Sequence, residues 1–520
     1  MKMSKFNTTS ARSARGQGFI QSEQVATGTT YEGGAGYARD QKSELFLLGV
    51  TNFVGENTFY ESADKRDDRF ATLSRAVAVA DPSWMTRFVT WLRRDANMRS
   101  AALVAALEGA AGLLDSGMPG GRQLVAAALL RADEPGEALA YWHSKYGRSV
   151  PKPIKRGIAD GAATTYNEYS LAKYDTASKG YRFADVIQLT HPTPKDERQA
   201  DLFKFALDRR YDSSAEAPAS LSILAARKEL LALSGKEIRT LADNGTLSER
   251  LKGAGMTWEA LSGVISGGMD AKAWEAIIPT MGYMATLRNL RNFLDAGVDR
   301  KVLNSVAARL ADPEEVAKSR QLPLRFLSAS KAVTHSALFA QPLEDALEAS
   351  LANVPSLKGR TLILVDRSAS MFWSYSENGT VTYADQAALF GSALALRGEK
   401  VDLVEFGSTS AVVPFRKGTS VLSMVRNKFH NLGGTATALA VRTHFNGHDR
   451  VVIITDEQAS GAAPTAVVPD SVPVYTFNLV GYSRGHGESK ANRYYFGGLT
   501  DASFGLIDLL ERGRNGDFPF

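Results

Sequence analysis

Five oxygen-bearing side chains fall at spacings that suit a hard divalent cation. TLILVDRSAS carries Asp366, Ser368 and Ser370 two residues apart, NLGGTATALA carries Thr435 behind a glycine pair, and RVVIITDEQ carries Asp456. All-oxygen sets in octahedral geometry favour Mg²⁺, with Mn²⁺ or Ca²⁺ as alternatives. In such a set Ser368, Ser370 and Thr435 bind the ion directly, while Asp366 and Asp456 hold coordinated waters or orient the hydroxyls. Three neutral ligands leave the ion electrophilic, so a sixth position attracts a carboxylate or phosphate from outside. The plainer reading of D-x-S-x-S is a helix cap or turn. An apolar run before Asp366, the GGT loop and a second Asp behind another apolar run weigh against it. A haloacid-dehalogenase phosphatase needs an Asp where Ser368 stands, and neither a G-x-S-x-G elbow nor a P-loop occurs. No positioned general base accompanies the ion, so binding without enzymatic activity is expected.

Strands and helices must alternate to place these loops together. After TLILVD come the helix TYADQAALFGSALALRG, the strand VDLVEF, the strand-like AVVPF, the helix SVLSMVRNKFHN, the strands RVVIITD and VPVYTFNLV, and the helix SFGLIDLLERG. This order predicts a doubly wound, mostly parallel sheet, whose ligands sit at the carboxyl ends of the strands. From about Asp64 to Asn353 the apolar residues instead recur at three- and four-residue spacing, with Gly, Pro, Ser or Asp at many joins. Eight or more successive helices with short joins suit a stacked helix-pair solenoid, although no crisp repeat period is visible. The expected division is a flexible basic arm over 1–30, a HEAT-like helical domain over 31–355 and the α/β domain over 356–520.

The 520 residues hold 44% hydrophobic and 22% charged side chains, which excludes a mainly disordered chain. No apolar stretch approaches the roughly 18 residues of a membrane helix, and the polar N-terminus lacks the apolar core of a secretory signal. There is no cysteine, hence no disulfide and no thiolate chemistry. A cytoplasmic location, no membrane partner and a monomeric state are expected. Net charge is only +5, so a polyanion surface must be a local patch. One stretch qualifies: Lys145, Arg148, Lys152, Lys155 and Arg156 lie between Ala138 and Ala159 without an acidic residue, and Lys173, Lys179 and Arg182 follow. Tyr146, Tyr166, Tyr174 and Tyr181 are interleaved and suited to stacking on unpaired bases. The bland alternative is a solvated helix face with partly buried tyrosines. Arg288 and Arg291, three apart, are expected on one side of a helix, flanking a stripe of Met284, Leu287, Leu290 and Leu294. They serve either as aliphatic cover for the core edge or as a lining for RNA. His191 precedes a proline and is expected at a helix boundary.

The Asp366, Ser368, Ser370, Thr435 and Asp456 set resembles the metal-ion-dependent adhesion site of the von Willebrand factor type A domain. Behind a long helical region, it looks like the Ro autoantigen (TROVE) family. ELFLLGVTNFVGENTFYES, IKRGIADGAATTYNEYSLAKYDTASKGYRFADVIQLTHPTP, MGYMATLRNLRNF and YYFGGLTDASFGLIDLLERG each resemble segments of that family, so the likeness runs from about residue 28 to residue 512. The resemblance implies a ring of helical repeats whose ends the A domain joins. It further implies single-stranded 3′ ends of misfolded RNA in the cavity, small Y RNAs on an outer face, and an exoribonuclease as a possible partner. Carried over by context, the Y RNA contacts fall on Lys173, Lys179 and His191. Glu457 stands where the family has Asn, which adds charge beside the ion. The rival reading is a protein-interaction scaffold whose metal captures a partner carboxylate, without RNA, as in A-domain proteins that work with AAA+ ATPases.

Overall fold

The computed structural model describes residues 20–21, 28–29, 35–36, 41–51, 63–96, 98–212, 214–321, 323–373, 381–456, 465–479, 492–497, 503–514 and 518–520. Most of the arm over 1–30 lies outside these. Within it, Ile20–Gln21 runs antiparallel to Arg493–Gly497, with Ile20 opposite Phe496.

Between Gln41 and Ser350 the described chain is a succession of 21 α-helices. Polar residues start many of them by accepting a backbone N–H from the first turn: Asp81 from Trp84, Asn167 from Ser170, Ser234 from Glu237 and Asp270 from Ala273. Apolar stripes then bury helix against helix. Glycines set some of these spacings. A Cβ at Gly157 would lie 2.7 Å from the Arg122 carbonyl oxygen, and one at Gly161 would lie 2.6 Å from Leu129, so Lys152–Thr165 packs closely on Gly121–Ala128.

Buried carboxylates stitch successive helices together. Glu134 Oε1 accepts from Arg93 at 2.7 Å and from Arg99 at 2.8 Å, while its Oε2 takes the backbone N–H groups of Leu130 and Arg131. Glu168 Oε2 accepts the N–H groups of Ile223 and Leu224, 55 and 56 residues away, at the start of Ser222–Ala232. Removing one partner from such a set leaves an uncompensated buried charge and costs roughly 3–5 kcal/mol.

Gly28–Thr29 and Ala35–Gly36 pair with each other, and the other described strands form one sheet. Arg360–Asp366 lies at its middle, parallel to Lys400–Phe406 on one side and to Arg450–Thr455 on the other. Val474–Asn478 and Arg493–Gly497 continue in parallel beyond Arg450–Thr455, and Ser410–Val412 closes the opposite edge antiparallel to Lys400–Phe406. LILV is continuously apolar because both faces are covered: Leu362 and Leu364 pack with Val441 and Ile453, Ile363 and Val365 with the core on the other side. Arg493–Gly497 is a strand that the sequence patterning did not single out.

Both ends of the helical run meet this sheet domain. Near residue 350, Lys331 pairs with Asp385, Arg426 donates to Ser330 Oγ at 3.0 Å, and Glu348 accepts the Val421 N–H at 2.9 Å. At the other end, Phe518 and Phe520 enter an aromatic cluster made by Phe46, Trp84, Phe88 and Trp91, with ring centroids 5.1–6.3 Å apart. Arg320 also donates to the Arg94 carbonyl at 2.8 Å, joining helices 226 residues apart. The helices therefore form a closed ring completed by the α/β domain, as the resemblance implied.

Candidate metal centre and nucleic-acid interface

The chain passes from the central strand outward to Lys400–Phe406, then returns to Arg450–Thr455 on the other flank. This reversal opens a crevice beyond the carboxyl end of Arg360–Asp366. Asp366 and Asp456 occupy the ends of the two adjoining strands, and both are fully buried. Asp366 Oδ1 accepts the Ser368 N–H at 2.8 Å, and its Oδ2 accepts the Thr455 hydroxyl at 2.5 Å. The Ser368 and Ser370 hydroxyl oxygens are 3.2 Å apart. The glycine loop is drawn onto the same loop: Ala369 donates to the Gly433 carbonyl at 2.7 Å, and Leu432 to the Arg367 carbonyl at 2.9 Å. Thr435 lies half-buried between Gly434, which donates to Ser408 Oγ, and Ala436, which donates to the Gly407 carbonyl.

Two supports are not evident from the sequence patterning. Thr455 follows from register, since Val365 opposite Ile454 places Asp366 beside Thr455. Arg367 pins the loop. Its guanidinium donates to the Ala384 and His430 carbonyls and lies against the rings of Phe372 and Phe429.

Among the described residues no group of three or more His, Asp or Glu side chains is arranged to hold a metal, so a cation here rests on the hydroxyls. The donor set fits that purpose: burial pushes the Asp366 carboxyl up to about 6, against the bonds from Thr455 and Ser368, and the Asp456 charge pushes the same way. A divalent cation would reverse that logic. Glu457 lies outside the described residues.

A pH signature follows. The unfolded Asp366 carboxyl titrates near 4, below its folded value of about 6. Its contribution is therefore fully present below pH ~4 and is lost as pH rises through ~6. In chelator, melting temperature should fall across that interval, and millimolar Mg²⁺ should remove the fall. Asp366→Asn should abolish both the fall and the Mg²⁺ or Mn²⁺ uptake while retaining the sheet's circular dichroism. Unchanged Mn²⁺ uptake by this variant would contradict the assignment.

The cationic residues divide into two groups. Arg148, Lys152 and Arg156 are exposed and Lys155 is partly so, and none forms an ion pair among the described residues. Lys173 is exposed, with its ammonium 5.5 Å from the Tyr169 ring and 5.2 Å from the Tyr174 ring. Lys179 borders the same segment, within the electrostatic reach of Asp133. His191 is exposed and ends Phe183–Thr190 in the left-handed conformation, φ 51°.

Two of the expected RNA contacts are paired with buried acids. Lys145 pairs at 3.0 Å with Glu108, a fully buried carboxylate that also accepts the Tyr141 and Tyr146 hydroxyls. Arg182 pairs at 2.8 Å with Asp175, whose Oδ1 also accepts the Phe183 N–H. Each cation compensates a buried acid. Tyr166 is likewise core, stacked on Phe183 at 3.7 Å. Arg288 and Arg291 are exposed but do not share one helix. Tyr283–Arg288 ends at Asn289, whose side chain donates to the Ala285 carbonyl, and Leu290–Asp295 starts afresh. Leu287 and Leu290 are buried as the stripe required, with Met284 and Leu294 packed against the core.

The 174–182 segment runs along Glu134–Tyr146: Tyr174 lies 5.4 Å from the Arg131 guanidinium near one end, and the Tyr181 hydroxyl lies 2.5 Å from His143 Nδ1 near the other. At 1.5 Å per residue, the helix rises roughly 14 Å from Glu134 to His143, so the cations border a strip more than one nucleotide long.

Residues 221–353 match the TROVE domain model. The crystal structure of the Deinococcus radiodurans Ro (RSR) protein covers 92% of this chain and 100% of its own, with a TM-score of 0.69 and 19% identity. Ring and sheet domain thus share the fold of that protein. Arg288 and Arg291 fall inside the segment that matches the TROVE model, whereas the 145–191 cluster precedes it. No helix among the described residues is long and apolar enough to cross a membrane.

Proposed function

We propose that this protein is a non-catalytic RNA-binding ring. It holds a small Y-like noncoding RNA on its outer face and single-stranded ends of structured or misfolded RNA, and presents the latter to an exoribonuclease. The first turns of Lys152–Thr165 support this reading most directly. Pro151 offers no side-chain cap, no acidic residue stands in the first turn, and Lys152, Lys155 and Arg156 crowd that end. A helix amino terminus already carries partial positive charge, so three cations there cost stability unless an anion arrives. A phosphodiester strand answers that need, and the TROVE match and Ro-type ring agree with it. The metal site is read as a second, independent element that binds Mg²⁺ and receives an outside carboxylate or phosphate.

RNA that copurifies with the protein, followed by titration of a 3′-tailed single strand at several salt concentrations, tests the reading. Tight binding with a steep salt dependence is expected, weakened by Lys173→Ala or His191→Ala and retained by Asp366→Asn. Nucleic-acid-free protein with no affinity for RNA would leave the carboxylate-capturing scaffold as the better account.

A further inference from the structure

Beside the cationic strip, three helices bring together charges that neighbouring acids do not balance. Arg209 near the end of Glu197–Tyr211, Arg227 in Ser222–Ala232, and Lys173 and Tyr169 on Glu168–Tyr174 converge around Gly255. The Arg227 Nη1 donates to the Gly255 carbonyl at a long 3.4 Å, and that is its only hydrogen bond among the described residues. The Tyr169 ring lies against the same glycine, where an added Cβ would meet it at 3.2 Å. Lys173 sits over that ring. Arg209 packs on Phe205 and pairs with Asp175, yet Asp175 already pairs with Arg182, and the buried Arg209 Nε has no hydrogen-bond partner. Arg182 and Arg209 thus share one carboxylate, while Lys173 and Arg227 form no ion pair among the described residues. Half-burial and the neighbouring Arg209 charge both push the Arg227 guanidinium below its ordinary value. Glu168, on the same helix, is compensated elsewhere by Arg198 and two backbone N–H groups.

Such a pocket stabilises an acceptor-rich dianion or monoanion, and a planar guanidinium fork matches phosphate oxygens. Tyr169 is 43% exposed, which leaves a ring face beside the cations. We propose that Arg209 and Arg227 clamp one phosphate of an RNA strand whose adjoining base stacks on Tyr169. This rests on the RNA reading above and extends it from the exposed strip to a built subsite in which Arg209 and Arg227 come from separate helices.

Fluorescein-labelled U12 and inorganic phosphate are the probes, with Arg300→Gln, an exposed site elsewhere, as control. Arg227→Gln should weaken U12 binding about 5- to 10-fold and make the salt slope shallower by about 0.7. Tyr169→Ala should weaken it by a similar factor, on the order of 10-fold, with the slope unchanged, a split that mere loss of structure would not produce. Inorganic phosphate should raise the melting temperature of the wild type but not of Arg227→Gln. Should Arg227→Gln fail to fold, Tyr169→Ala and Arg227→Lys carry the same comparison, the latter keeping the slope but losing affinity. Protection by phosphate in the wild type alone, without any U12 binding, would sustain the clamp and defeat the RNA reading. Wild-type affinity and slope in both Arg227→Gln and Tyr169→Ala would overturn the clamp while leaving RNA binding intact.

Discussion

Lys152→Gln, Lys155→Gln and Arg156→Gln combined are expected to weaken single-stranded RNA binding about 50-fold at 0.15 M salt, and to make the salt slope shallower by about two. Each phosphate neutralised on a single strand contributes roughly 0.7 to that slope. Removing three such cation–phosphate pairs at this ionic strength therefore multiplies to one or two decades in affinity. Fold stability should hold or rise, because the three charges stand at the positive end of a helix with no acid in its first turn. Fluorescence anisotropy at four salt concentrations, with a thermal melt of the same samples, reads both effects. Parallel salt lines for variant and wild type would show that the strand lies elsewhere.

The second large effect is mechanical. Phe46 is fully buried at the seam, with the Trp91 ring 5.5 Å and the Phe518 ring 5.4 Å away. Phe46→Ala removes a buried ring at a cost of about 3–5 kcal/mol. The loss falls on a junction between the start of the helical run and the far end of the sheet domain, so it should appear first as local opening. Amide protection in Gln41–Thr51 and Ser503–Arg514 should fall together by two or more decades, while Arg360–Asp366 keeps its protection. If only Gln41–Thr51 loses protection, the seam does not couple the two domains.

The loops at the carboxyl edge of the sheet were legible because a strand-terminal Asp followed by spaced serines is written contiguously, and because both strands read as apolar runs. Thr455 was legible only through strand register, which a sequence does not display. The helical class was visible from periodicity, but its breaks were not. Asn289 interrupts MGYMATLRNLRNF by bonding its own preceding turn, while the apolar spacing continues across the break. Charge was the least legible quantity. Lys145 and Arg182 look like members of a basic stretch, yet Glu108 and Asp175 claim them from other elements. Conversely, Arg209 and Arg227 sit in unremarkable surroundings in the sequence, and only the packing of separate helices makes them neighbours. Pairing between distant charges decides which cations are available to a ligand, and linear composition is blind to it.

The aromatic seam also has a topological meaning. A linear polynucleotide can enter a shut hoop by its terminus, but a covalently circular one, or an internal stretch between two folded knots, has no end to thread. On the RNA-binding reading, such a molecule would reach the middle only if the contacts of Phe518 and Phe520 and the Arg320–Arg94 bond opened together. The frequency of that opening, not the chemistry of the lining, would then set how fast looped transcripts are admitted.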